Sequence, residues 1–182
     1  GQKRVVGNGT NLFISGTGYN GTILHLPNEY SFIKPIGELQ LEIGAATPGA
    51  MVLNYCKEHQ LTGLEFMVGI PGNVGGWLAM NAGTRQGAIC DVVKRVRVMD
   101  AETGEHQELL VDDLDAGYHC CPGIEGKVVI SCVIELQRGL IEDIERAMEQ
   151  AKSRRFDFSG LRTEGSVFRN PPNGIAGKLS EE

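Results

Sequence analysis

Residues 69–83 read GIPGNVGGWLAMNAG, a stretch with five glycines, two asparagines and no charged side chain. Each glycine loses more backbone entropy on ordering than any other residue, so a run this bare is a poor strand and a poor long helix. It reads as a loop leading into a short helix near Trp77, kept free of side chains because something must approach its backbone. A second bare loop, GNGTNL at residues 7–12, follows the strand-like KRVV. No Lys or Arg lies between Arg4 and Lys34, or between Lys57 and Arg85. An anion held at either loop would therefore be held by backbone N–H groups, with the dipole of the short helix assisting. Either loop alone reads more simply as a connection. Together they flank one α/β unit, as the two sides of a pyrophosphate site would.

The rest of the chain supplies the frame. KRVV, NLFIS, TILHL, SFIKP and LQLEIG read as short strands separated by glycine turns, with Asn20-Gly21 as hairpin chemistry. Thr47-Pro48 reads as an N-cap and a proline at the first helical position, and Met51, Val52, Tyr55 and Cys56 then follow helical spacing. VVKRVRVMD, QELLV and KVVISCVIELQ read as strands, the last fully buried. Residues 140–155 form a charged helix with Ile141, Ile144, Met148 and Ala151 facing inward. GTGYNG, at residues 16–21, satisfies a dinucleotide-binding glycine pattern, but the strand-like TILHL follows it where a helix is required.

The chain has 182 residues, enough for one domain with a real core. A formal charge of −6 argues against a nucleic-acid partner, which needs clustered Lys and Arg. No apolar run approaches the thickness of a bilayer, so no membrane partner is expected. Five cysteines, an odd number without CxxC spacing, point to neither a disulfide framework nor zinc, and so to a reducing cytoplasm. His119, Cys120 and Cys121 do not make a metal site, because adjacent cysteines do not readily converge on one ion.

GNGTNL resembles the GGGSNL segment of the bacterial UDP-N-acetylenolpyruvoylglucosamine reductases (MurB), and GIPGNVGG with Met80-Asn81-Ala82-Gly83 resembles their GIPGxVGGxxxMNAG segment. Gly165-Ser166-Val167-Phe168-Arg169-Asn170-Pro171 is similar to the family's GSxFKNP, and Ala176-Gly177-Lys178-Leu179 to the AGKLIE that follows. The resemblance implies an α+β fold of the PCMH type, with mixed and antiparallel sheets and a few packed helices. It implies a FAD-binding domain over residues 1–160 that lacks the family's N-terminal βαβ segment. Residues 161–182 would then begin a substrate-binding domain that is cut short.

By the same resemblance FAD is the cofactor and NADPH the reductant. The FAD-binding residues would be Gly7, Asn8, Gly9, Thr10, Asn11 and Leu12 in the first loop. In the second they would be Ile70, Gly72, Asn73, Gly75, Gly76, Asn81, Ala82 and Gly83. The substrate is a sugar nucleotide, contacted by Tyr118, Arg169 and Asn170, with Arg169 standing where the family has lysine. Hydride reaches the enolpyruvyl C3, and a serine hydroxyl, here Ser166, protonates the carbanion at C2. His119 stands where the family has an arginine that stabilises the intermediate, so a fixed guanidinium fork becomes an imidazole. From the residues alone, Ser166 reads as a turn or capping serine and His119 equally as a loop histidine. The expected activity is UDP-N-acetylmuramate formation for peptidoglycan in the bacterial cytoplasm. The alternatives are a non-catalytic flavin-binding or interaction module, or a flavin oxidase of the same superfold.

Overall fold

The computed structural model describes residues 1–154. The chain enters through β1 (Gln2–Val5), β2 (Gly21–Leu24), β3 (Ile33–Pro35), β4 (Gln40–Gly44) and α1 (Gly49–Glu58). It continues through β5 (Leu61–Thr62), α2 (Val74–Ala79), β6 (Gly83–Thr84), β7 (Gly87–Ala88), β8 (Val93–Asp100) and β9 (His106–Leu110). β10 (Lys127–Glu135), β11 (Gln137–Arg138) and α3 (Ile141–Ser153) complete the described elements.

KVVISCVIE becomes the middle strand of the main sheet because its seven central residues are all buried, so neither face can be given to water. The sheet order is β3-β4-β10-β8-β9, every neighbouring pair antiparallel. Val96 and Val98 of β8, Cys132 and Ile134 of β10, and Leu41 and Ile43 of β4 form one core with Val52, Leu53 and Cys56 of α1. Trp77 of α2, 2% exposed, lies in the same core. A Cβ on Gly49 would run into the Trp77 ring, so the first residue of α1 is glycine because α2 stands against it. The α+β PCMH-type fold expected from the sequence is the observed one.

Three local expectations are corrected. β1 and β2 are parallel, with Gln2 opposite Gly21, so residues 6–20 make a crossover rather than a hairpin. Gly21 is a glycine because a Cβ there would strike the Gln2 carbonyl oxygen and the Tyr19 ring; it is strand packing, not turn geometry, that requires it. NLFIS is not a strand: it lies in the crossover, where it pairs with no strand and leaves Phe13 87% exposed. Thr47 does not cap α1, whose N-cap is Pro48. Its buried hydroxyl instead donates to the Phe32 carbonyl and accepts from the Phe32 N–H, both at 3.0 Å, and so ties the chain entering α1 to the loop before β3.

The strands read from VVKRVRVMD and KVVISCVIELQ form as β8 and β10, and the charged helix forms as α3, with Ile144 and Ala151 buried. The expected boundary at residue 160, the segment 161–182, and Ser166, Arg169 and Asn170 lie outside the described residues.

Candidate functional site

The two glycine loops meet. Gly7, two residues past β1, and Asn73, Gly75 and Gly76, at the start of α2, line one cleft of about 170 Å³. Ala45, just past β4, and Lys127, the first residue of β10, complete its walls. That is room for the diphosphate portion of a dinucleotide rather than for a whole one.

The loop glycines divide into two kinds. A Cβ on Gly75 would stand 3.1 Å from that of Ala45, and one on Gly72, whose φ is +105°, would stand 3.0 Å from Thr10 Oγ1. A Cβ on Gly83 would collide with the Gly87 carbonyl. These three are glycines for the fold. A Cβ on Gly7, Gly9 or Gly76 meets nothing within 4 Å among the described residues. Gly7 and Gly76 are both exposed and both border the cleft.

Asn73 carries the second sign of a ligand. It is 7% exposed, and its Oδ1 is buried without a hydrogen-bond partner among the described residues. It sits at the N-cap of α2, yet its side chain makes no capping bond. An unsatisfied buried acceptor costs about 1–3 kcal/mol, which asks for a compensating donor. A dinucleotide provides hydroxyl donors on its sugar portions beside its phosphates, so the residues present fit such a group.

The amides of α2 serve differently from the expectation. The Val74 N–H donates to the Thr47 carbonyl at 3.0 Å and the Gly75 N–H to the Ala45 carbonyl at 2.9 Å, so the first turn is pinned to the end of β4. Of the loop at residues 7–12 Gly7 borders the cleft, whereas Asn8, Gly9, Thr10 and Asn11 do not; most of the loop is exposed, with Thr10 half-buried against Gly72. Leu12 is 45% exposed and does not border the cleft.

Sequence reasoning missed the ionisable residues of the cleft, Lys127, Glu125 and His25. Lys127 Nζ donates to the Gly123 carbonyl at 3.1 Å, and His25 Nδ1 lies 2.9 Å from the Val6 carbonyl. No local motif marks them, because sheet pairing and the crossover bring them to the glycine loops from far away in sequence.

The MNAG residues build rather than line the cleft. Asn81, at φ +39°, donates from Nδ2 to the Gly117 carbonyl at 3.1 Å and accepts at Oδ1 from the Cys90 N–H at 3.3 Å. Ala82 donates its N–H to the Trp77 carbonyl at 2.7 Å, and Ile70 donates to Met67 at 3.0 Å and packs on the core. Asn81 thereby holds the tight turn at residues 117–120, where Gly117 and Cys120 bond to each other and Tyr118 and His119 form the tip. His119 has φ +54° and is exposed, with its ring edge-on to Tyr118 at 4.2 Å. Neither residue borders the cleft.

Residues 2–110 match the family model described as FAD binding domain. UDP-N-acetylenolpyruvoylglucosamine reductase of Caulobacter vibrioides is 33% identical over 181 residues, covering 97% of this chain and 60% of the relative. The enzyme of that name from Caldicellulosiruptor bescii is 38% identical, covering 98% and 57%. Among solved structures, the UDP-N-acetylenolpyruvylglucosamine reductase (MurB) of Thermus caldophilus superposes with a TM-score of 0.86 at 30% identity, covering 98% of this chain and 65% of that one. The chain thus spans about 60% of the length of the curated relatives it matches. With the glycine loops, the cleft they enclose and the fold all in agreement, the chain belongs to the FAD binding domain family and matches its MurB members.

Proposed function

We propose that this chain is the FAD-binding portion of a reductase that converts UDP-N-acetylglucosamine enolpyruvate to UDP-N-acetylmuramate at the expense of NADPH. The observation that carries the reading is the pairing of Gly7 and Gly76 across one cleft, each with open space where a side chain would be. Bound FAD would supply hydride transfer. The residues of this chain would position it: the loop at residues 7–12 by main-chain contact, Asn73 through its unpartnered oxygen, and Lys127 by charge. Asn81, by fixing the turn that carries Tyr118 and His119, would set where those two meet a sugar nucleotide. Ser166 is proposed as the proton donor to C2, and Arg169 and Asn170 as substrate contacts. The reaction would take place in the bacterial cytoplasm.

Titration of the purified chain with FAD, followed by quenching of flavin fluorescence, tests the binding step. For the intact protein, NADPH oxidation must depend on the enolpyruvyl sugar nucleotide. A FAD-loaded intact protein that leaves NADPH unoxidised in its presence would defeat the enzymatic reading.

One observation favours a second reading, a flavin-binding module without this catalysis. His119 occupies the exposed tip of its turn, and if it stands at the arginine position that the resemblance implies, an imidazole there cannot grip a carboxylate in bidentate fashion. On that reading FAD binds and no substrate-dependent turnover follows.

A further inference from the structure

The cleft lies between two parts of the molecule. One wall comes from the β1–β2 pair and the residues just past it, Val5, Val6, Gly7, His25 and Leu26; Glu125 and Lys127 stand on the main-sheet side. Of the residues in β1 and β2 only Lys3 and Leu24 are half-buried, and the rest are exposed. A parallel pair so uncovered has little apolar burial to hold it in place. Past the C-terminal ends of the strands, Leu26 packs on the core and Thr10 stands against Gly72. Toward their N-terminal ends the pair is held by Lys3. Among the described residues, its bonds are the only hydrogen bonds that join residues 1–27 to the chain beyond residue 30.

Lys3 Nζ donates to the Ala101 carbonyl at 2.6 Å and to Glu102 Oε2 at 3.2 Å, in the turn between β8 and β9. The Glu102 side chain is 74% exposed, so the ion pair is screened and the carbonyl bond carries most of the tie. Asp100 Oδ1 fixes that turn by accepting the N–H groups of Glu102 and Thr103. The Ala101 N–H then donates to the Gly126 carbonyl at 3.2 Å, and Gly126 sits between Glu125 and Lys127. Ala101 thus bonds to both walls: through its carbonyl to the strand that carries Val5, and through its N–H to the segment that carries Lys127. Lys3 and Val5 are two residues apart on one strand, so they share a face at a separation of about 7 Å.

We propose that Lys3 is a positioning residue for the cleft: by bracing the β1–β2 pair on the Ala101 carbonyl, it fixes the spacing between the wall that carries Gly7 and the wall that carries Lys127. Lys3 does not itself border the cleft, so it acts on a ligand only through that spacing. Removing the ammonium leaves the pair tied past one end alone, and the wall opens locally while the main core stays folded. That the spacing serves FAD rests on the reading of the cleft given above; the brace itself does not.

The test compares hydrogen exchange in the 182-residue chain with that in Lys3→Met, which keeps the apolar stem and loses the donor. The backbone amides of β1 and β2, and the Val6 N–H that bonds to Leu24, should exchange about 10-fold faster or more in the variant, the usual worth of a charge-assisted bond. Amides of β8 and β10, and the melting temperature, should not change. FAD should bind about 5-fold more weakly, and Lys3→Arg, which keeps a donor for the carbonyl, should restore both readouts. Exchange of β1 and β2 as in the unsubstituted chain, a rise shared by the main sheet, a loosened pair that binds FAD with unchanged affinity, or arginine no better than methionine overturns the proposal. An unsubstituted chain that binds no FAD defeats the reading of the cleft instead, and the exchange comparison still decides the brace.

Discussion

Thr10 and Gly72 touch across the two glycine loops: a Cβ added to Gly72 would lie 3.0 Å from Thr10 Oγ1. The loops approach each other there, and Gly7 of one and Gly76 beside the other both border the cleft.

Position 76 separates folding from binding. Gly76→Ala places a methyl where nothing among the described residues stands, and alanine is a better helix residue by roughly 0.5–1 kcal/mol. The variant should unfold at the same or a slightly higher temperature while its FAD affinity drops about 10-fold or more, the result of overfilling a fitted site. Gly49→Ala is the opposite case. Its methyl collides with the buried Trp77 ring and should cost about 1–3 kcal/mol or more of stability whether or not FAD is present. Thermal melts and flavin titrations of the two variants should diverge in this way.

Asn73 should behave like a residue kept for its ligand. An N-cap asparagine that made its capping bond would lose about 1 kcal/mol on replacement by alanine, but this one makes none and buries an oxygen with no partner among the described residues. Asn73→Ala should therefore change the stability of the ligand-free chain by less than about 0.5 kcal/mol, while FAD binds on the order of 10-fold more weakly. A large loss of stability without FAD would assign Asn73 to the fold instead.

Much of this was legible in residue order, and the failures have a common cause. The middle strand announced itself because Val128 to Ile134 must be buried on both faces, and the glycine loops because nothing local explained their bareness. Asn20-Gly21 misled because a parallel pair and a hairpin can share turn chemistry; only the partner strand, β1, distinguishes them. Lys127 was invisible as a cleft residue for the same reason: it reaches the cleft through the pairing of β10 with its neighbours in the sheet, which no local window contains.

Acid should loosen one end of the main sheet in a predictable way. Asp100 Oδ1 accepts the N–H groups of Thr103 and Glu102, each at 2.8 Å, and these bonds, Thr103 first, hold its carboxyl below the ordinary value of 3.8. Because the folded value is the depressed one, the contribution is fully present above 3.8 and is lost as pH falls through the folded value. Asp100→Asn keeps an acceptor for both N–H groups and removes the ionisation. The gap in denaturant midpoint between wild type and variant should be widest above about pH 4 and narrow as the pH falls below it.

His119 offers the sharpest division between the enzymatic and non-catalytic readings. Its turn is anchored by Asn81 and by the Gly117–Cys120 pair, not by the imidazole, so the side chain can be exchanged without disturbing the frame. The positive φ of 54° is one that histidine adopts more readily than arginine, so the exchange costs a little stability, which the melting temperature reads separately from turnover. If the position stabilises a carboxylate-bearing intermediate, His119→Arg in the intact protein should raise kcat by on the order of 100-fold, the usual worth of a fixed donor aimed at developing charge. KM for the sugar nucleotide should change far less, because the gain belongs to the transition state. An unchanged kcat, with FAD affinity and melting temperature also unchanged, would give the turn no part in the chemistry and favour the flavin-binding module.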